Sequence, residues 1–369
     1  MKASRLIGRY LTIICLHLVL YPAVAMADEV DRYLQCEMHR LKIPGLSVAI
    51  VENGKIIKSK GYGFSNIELK APAKPETIYQ SGSIGKQFTA MLAMILVEKG
   101  VLHLDDKITQ YLPDAPETWQ NITIFNLLTH TSGLTRYNPD VDLHLDYSHE
   151  DIIRRLKLYP LDFDPGTSFH YSNVGYELLG FIIEKVTGKS YGSLLQEHIF
   201  KPLDMNTAQV INDRDIIDNR AAGYDLVHGV LKNQEYISPT FNSTADGALY
   251  FTILDLAKWD AALYTTKLLK KENMDLLWAP VKLNDGRTES YGLGWRITSI
   301  NGHRLIEHGG EWQGFTAFIS RYVDKKLTVI IMTNLSGIVE LGDVTHNVAG
   351  LYNKDLKVLS SKHVDDKCM

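Results

Sequence analysis

The sequence predicts an α/β fold in which one antiparallel sheet, built from both ends of the chain, is covered by helices. A large, mainly helical region is inserted between the two ends. Two observations carry this. Asn53-Gly54 and Asn301-Gly302 each sit between runs of strand character, the strongest short-range hairpin signal. Between them, six segments show helical spacing, separated by long loops.

At the N-terminus Lys2, Arg5 and Arg9 precede the apolar run 10–20, then Tyr21-Pro22 and Ala25-Met26-Ala27. That layout predicts a secretory signal over residues 1–27, cleaved after Ala27. An uncleaved anchor is the alternative, but the apolar run is short for a span and His17 interrupts it. The expectation is an exported protein, periplasmic or secreted, with no stable membrane span once the signal is removed. Residues 28–41 follow as a helix with Val30, Tyr33, Leu34 and Leu41 facing inward, ended by Pro44-Gly45.

Strands are predicted at 47–51 and 55–60 around Asn53-Gly54. At the other end they are predicted at 291–300 and 304–307 around Asn301-Gly302, and at 315–323 and 327–332 around Asp324-Lys325. A helix over 343–352 closes the sheet. The inserted helices are predicted at 84–99, 150–157, 174–187, 191–199, 253–264 and 271–278. Residues 28–369 then form one catalytic domain, with 28–80 and 285–369 as its α/β part and 81–284 as its mainly helical part. A cleft where two such parts meet is a common place for a binding site.

The 369 residues carry a formal charge of −4, which becomes −7 without the signal, so no basic surplus argues for nucleic acid. Composition is that of a globular protein, 45% hydrophobic and 22% charged, with no repeat. Cys15 lies in the apolar run, without the small residues before it that a lipoprotein site needs. Cys36 and Cys368 lie near opposite ends of the chain. Their spacing suits no metal site, and no His-Glu-x-x-His occurs. No cofactor or metal is expected. An oxidising compartment would allow the two cysteines to pair, and two inert thiols are the alternative.

Chemistry concentrates in three short patterns. In "YQSGSIGKQFTA" (79–90), Ser83 opens a helix and Lys86 falls one turn later on the same face. A neutral lysine there can take the serine proton, and the N–H groups of a helix N-terminus favour a nearby oxyanion. The ordinary alternative is a serine cap followed by an exposed lysine. Tyr171-Ser172-Asn173 is the only Tyr-x-Asn of the chain, and His308-Gly309-Gly310 the only His-x-Gly. Taken singly, these read as a packed aromatic, a helix cap and a turn.

In this order the three patterns resemble those of serine β-lactamase-like, penicillin-binding-protein-like hydrolases. The branch is the one with class C β-lactamases, D-aminopeptidases and family VIII esterases. The resemblance also runs through "GYGFSN" (61–66), "GVLHLDDKITQYLP" (100–113), "ITIFNLLTHTSGL" (122–134) and "PGTSFHYSNVGYELLGFIIEKVTGKSY" (165–191). It continues in "IFKPLDM" (199–205), "STADGALYFTILDLAKW" (243–259), "YGLGW" (291–295) and "HGGEWQGF" (308–315), which together span nearly all of residues 28–369.

The resemblance implies a β-lactamase/transpeptidase-like fold and a serine hydrolase without cofactor, acting on a small ester, amide or peptide. Ser83 is then the acylated nucleophile and Lys86 holds the proton network. Tyr171 is the general base or relays the proton to the leaving group. Asn173 bonds the substrate's acyl side and the lysine. The strand at His308 lines the site's edge, and the backbone N–H groups of Ser83 and Glu311 form the oxyanion hole. A phenol has a pKa near 10 in water, and the Lys86 cation would favour its anionic form. The resemblance also implies that the first and last helices lie side by side, which suits a Cys36–Cys368 bridge.

One motif departs from the pattern. Where many relatives have Lys-Thr-Gly to bind a β-lactam or peptide carboxylate, this chain has His308-Gly309-Gly310. A β-lactamase or D-alanyl carboxypeptidase or D-aminopeptidase proper, and a penicillin sensor without turnover, remain as alternatives. An α/β-hydrolase is excluded: it needs Gly-x-Ser-x-Gly, and Ser81-Gly82-Ser83-Ile84-Gly85 is one glycine short.

Overall fold

A computed structural model describes residues 21–358, with side chains from residue 29 onward. Most of the signal expected over 1–27 lies outside it, as does Cys368. Helix α1 covers Tyr21–Leu41. Cys36, on this helix, is disulfide-bonded, while the pairing expected with Cys368 falls outside the described residues. None of the described helices is long and apolar enough to cross a membrane.

Seven strands make the main sheet: β1 Gly45–Glu52, β2 Lys55–Asn66, β3 Ala71–Pro72, β4 Arg296–Ile300, β5 His303–Trp312, β6 Phe315–Tyr322 and β7 Leu327–Thr333. Their order is β4-β5-β6-β7-β1-β2-β3. The two chain ends meet at the antiparallel β1–β7 pair, where Leu46 faces Thr333 and Ile50 faces Val329. Both Asn-Gly turns have positive φ at each residue, +52° and +74° at Asn53-Gly54 and +50° and +80° at Asn301-Gly302. That backbone matches strand twist and suits these two residue types.

Alternation along β1 divides the core. Val48 and Ile50 join α1 and a C-terminal helix on one face of the sheet, while Ala49 and Val51 face the helical half. In that half, α2 spans Gly85–Glu98, α3 Asn173–Thr187 and α4 Ile253–Ala262. The C-terminal helix, α5, covers Leu341–Tyr352. Every residue of α2 from Gly85 to Leu96 is buried, so it is a helix enclosed on all sides rather than a one-faced one.

Three sequence expectations change. Only Arg296–Ile300 of the segment 291–300 is strand, because Gly294 turns back with φ +77° to bring Tyr291 and Trp295 inside. The strand at 304–307 runs on through Trp312. The helix at 191–199 ends at Leu195 and continues as one wider π turn, Gln196–Phe200. A hairpin at Tyr224–Val227 and Val230–Asn233 was not anticipated.

The helical half is clamped to the sheet by a buried ion pair. Asp260 on α4 accepts from Arg321 Nε on β6 at 2.6 Å and from Thr328 on β7 at 2.8 Å. The two terminal nitrogens of Arg321 have no hydrogen-bond partner among the described residues. They lie against the rings of Tyr264 and Trp278, 4.8 and 5.2 Å from the guanidinium carbon. Removing the carboxylate would leave this cation buried and unpaired. Asp260→Ala is therefore expected to cost about 3–5 kcal/mol of stability, read as a fall in the urea midpoint. A shift equivalent to less than about 1 kcal/mol would contradict the clamp.

Candidate active site

Ser83 sits in a single 3-10 turn, Gly82–Ile84, that leads into α2. Its hydroxyl caps neither element. The turn is pressed against β5: Gly82 has φ +50°, and a Cβ there would lie 2.3 Å from Glu311 N. A Cβ on Gly310 would lie 1.9 Å from Ser81 O. Only glycine allows this approach, and it brings the Glu311 N–H beside the Ser83 turn. Within the buried run around it, Ser83 is half-buried and so reachable.

Lys86 is 0% exposed, which excludes the solvent-facing lysine. Its ammonium donates to Ser83 Oγ at 3.1 Å, Asn173 Oδ1 at 2.9 Å and Asp246 O at 2.5 Å. Three donors thus meet three acceptors. Asn173 is not the helix cap either: the Ser172 hydroxyl accepts from Gly175 N at 3.1 Å. That leaves the Asn173 carbonyl oxygen for the lysine.

Tyr171 lies over this group, its ring centroid 5.0 Å from Lys86 Nζ. Its hydroxyl is buried and has no hydrogen-bond partner among the described residues. Such an orphan costs about 1–3 kcal/mol, so it calls for an explanation.

Behind Tyr171 runs a chain of polar groups that joins His308 to His130 and Tyr291, two residues no short pattern marks. The Ser172 N–H donates to His130 Nδ1 at 3.0 Å, and His130 Nε2 lies 3.2 Å from the Tyr291 hydroxyl. That hydroxyl lies 2.9 Å from His308 Nε2, and His308 Nδ1 lies 2.6 Å from Gly309 O. The directions follow from the ends. His130 accepts at Nδ1 and so donates from Nε2 to Tyr291. Tyr291 then donates to His308, and His308 donates to Gly309 O. Both rings are therefore neutral. Burial is the main reason that His130 stays well below the usual imidazole range and His308 falls to about 3, with the Lys86 charge adding to both.

The His130 ring lies 4.2 Å from that of Tyr171, at an interplanar angle of 33°. Its backbone has φ +59°, the kind of strain held at working sites.

The expected residues thus come together, with one change of role. Ser83, Lys86, Asn173 and Tyr171 share one cluster, and Gly310 and Glu311 flank the Ser83 turn. His308 is buried with both ring nitrogens already bonded inside the protein. It lines the strand edge as expected, but neither ring nitrogen is left to bond substrate. His130 and Tyr291 lie in "ITIFNLLTHTSGL" and "YGLGW", so the motifs pointed to their neighbourhood but not to their link. Asp246 and Glu177 gave no signal. Burial, then Asp246, pushes the Glu177 carboxyl upward, against the pull of Lys86.

The family model described as Beta-lactamase matches residues 30–351. Penicillin-binding protein 4* of Bacillus subtilis (strain 168) is 34% identical over 306 residues, 78% of this chain and 67% of that protein. Putative penicillin-binding protein PbpX of the same strain is 29% identical over 308 residues, 83% of this chain and 74% of that one. Among solved structures, the octameric penicillin-binding protein homologue from Pyrococcus abyssi shares 29% identity with a TM-score of 0.76, covering 88% of this chain and 77% of that one. D-amino acid amidase from Ochrobactrum anthropi SV3 has a TM-score of 0.79 at 22% identity, covering 89% and 99%, a likeness of fold. By the match over residues 30–351 the chain belongs to the Beta-lactamase family, as a serine hydrolase related to the penicillin-binding proteins.

Proposed function

We propose that the protein is an exported hydrolase that cleaves ester or amide bonds of small substrates through an acyl-enzyme on Ser83. The observation that carries this is the Lys86 ammonium, bonded to both Ser83 Oγ and Asn173 Oδ1 beside the unpartnered Tyr171 hydroxyl. The Ser83 oxygen attacks the substrate carbonyl carbon. Its proton passes to the Tyr171 oxygen, acting as the phenolate beside the Lys86 ammonium, and from there to the leaving alcohol or amine. Water attacks the acyl-Ser83 ester in turn, gives a proton to the Tyr171 oxygen, and that proton passes to the departing Ser83 oxygen to restore the serine. The N–H groups of Ser83 and Glu311 hold the developing oxyanion. Asn173 bonds the acyl side, and His308, Gly309 and Gly310 form the strand edge of the site. The charged N-terminus and Ala25-Met26-Ala27 support export.

Substrate choice follows from the strand edge. A neutral His308 with both nitrogens engaged supplies no cation, and Gly309 supplies no hydroxyl. A carboxylate desolvated on the leaving-group side is poorly paired there, at a cost of several kcal/mol. Esters with neutral leaving groups should therefore turn over faster than β-lactams or D-alanyl peptides. The names of the relatives favour the second reading, a penicillin-binding enzyme or sensor. The test compares an aryl ester, a chromogenic cephalosporin and a D-alanyl dipeptide on one preparation. Faster hydrolysis of the cephalosporin than of an ester of matched reactivity sinks the ester reading. An acyl-enzyme that accumulates without turnover favours the sensor.

A further inference from the structure

Arg136 is a cation at the rim of this site with no acidic partner. It lies two residues beyond "ITIFNLLTHTSGL", in the loop before the helix His149–Leu156, and it is exposed. Its guanidinium carbon lies 5.6 Å from the Tyr171 ring centroid and 5.2 Å from that of Tyr137. The loop is tied to the site by its backbone, since Asn173 N donates to Arg136 O at 3.0 Å. No ion pair or side-chain hydrogen bond joins the guanidinium to another described residue. Two other exposed arginines are committed, Arg154 to Asp151 and Arg287 to Asp285.

We propose that Arg136 is a specificity-determining residue that binds an anionic group on the acyl half of the substrate. This rests on the acyl-enzyme reading above and adds a substrate class to it. Asn173 is the residue assigned to the acyl side, and Arg136 is hydrogen-bonded to it through the backbone. The leaving-group side is assigned to β5, where His308 is neutral. Arg136 therefore adds a stacked cation on the acyl side, whereas on the β5 side the Arg296 charge acts on His308 only through space. A carboxylate in the acyl chain meets a free guanidinium, while one in the leaving group meets an imidazole with no proton to spare. Stacking on Tyr171 and Tyr137 restricts the arginine without using its N–H donors. The planar fork is thus left free for bidentate contact with a carboxylate.

The test uses two esters with the same leaving group: 4-nitrophenyl butyrate, which is neutral, and mono(4-nitrophenyl) glutarate, whose acyl chain ends in a carboxylate. The wild-type protein is expected to show the higher kcat/KM on the glutarate. In Arg136→Ala and Arg136→Gln the glutarate-to-butyrate ratio should fall about tenfold or more, between the effect of an exposed ion pair and that of a charged hydrogen bond. Arg136→Lys should recover part of it. Added salt should lower the wild-type ratio and leave that of Arg136→Ala flat. A wild-type enzyme with no glutarate preference, or a ratio that survives the loss of the cation, overturns the proposal. Failure of the underlying reading shows separately, as full hydrolysis of both esters by Ser83→Ala.

Discussion

Ser83→Ala is expected to lower kcat/KM on every substrate by roughly 10³-fold or more, since the covalent route disappears with the hydroxyl. The change removes one atom that caps no helix and whose recorded bond is the one to Lys86 at 3.1 Å. The Lys86 ammonium keeps Asn173 Oδ1 and Asp246 O, so the fold should persist. A fluorophosphonate or penicillin probe should add its mass to the peptide holding Ser83 in the wild-type protein and leave the variant unlabelled. Unchanged labelling in Ser83→Ala, or hydrolysis within tenfold of wild type, removes Ser83 from the mechanism.

Tyr171→Phe should cost roughly 10²- to 10⁴-fold in turnover if the hydroxyl transfers protons. The geometry makes this a sharp test. The Tyr171 ring lies near His130, His308 and Lys86, and phenylalanine keeps all of those contacts. The hydroxyl itself makes no hydrogen bond among the described residues. Its deletion breaks nothing structural and relieves a buried unsatisfied group. The thermal midpoint should hold or rise while activity falls. Wild-type turnover in the variant would leave Tyr171 as packing and return the base to Lys86.

His130 and His308 bear on how such pH data should look. Both are held neutral by burial and by one shared hydrogen-bond chain, with His308 at about 3. With His308 at about 3, that ring does not change charge across pH 5 to 8 in the folded protein, and burial holds His130 toward its neutral form in the same way. An activity limb in that range would therefore belong to another group. Folding has the opposite sensitivity. The unfolded histidines take up protons as pH drops through their ordinary range near 6.5, so the neutral rings stabilise the fold above it and progressively less toward pH 3.

Much of the scaffold was legible because its signals are local. Asn53-Gly54 and Asn301-Gly302 specify turns whose backbone suits those two residues wherever they stand. The helix of residues 174–187 was visible from its apolar spacing, and the spacing of Ser83 and Lys86 alone puts both on one face of a turn. In the segment 291–295, Tyr291, Leu293 and Trp295 alternate like a strand. Gly294, with φ +77°, turns them into a knot of buried side chains instead. Residues 224–233 carried a weaker turn, His228-Gly229, and their hairpin went unread.

By itself, then, the sequence determined the sheet-and-insertion architecture, the spacing of Ser83 and Lys86 on one turn, and the order of the motifs. Each depends on neighbours within a few residues, or on motif order along the chain. Only the tertiary structure decided the state of the groups. Local pattern offered an exposed lysine at position 86, whereas α2 is enclosed on every side and the lysine bonds across 87 residues to Asn173. It offered an imidazole for substrate at His308, whereas Tyr291, itself bonded to His130 across 161 residues, had claimed that ring. Burial and hydrogen bonds between distant segments set charge and availability, and neither leaves a trace in local spacing.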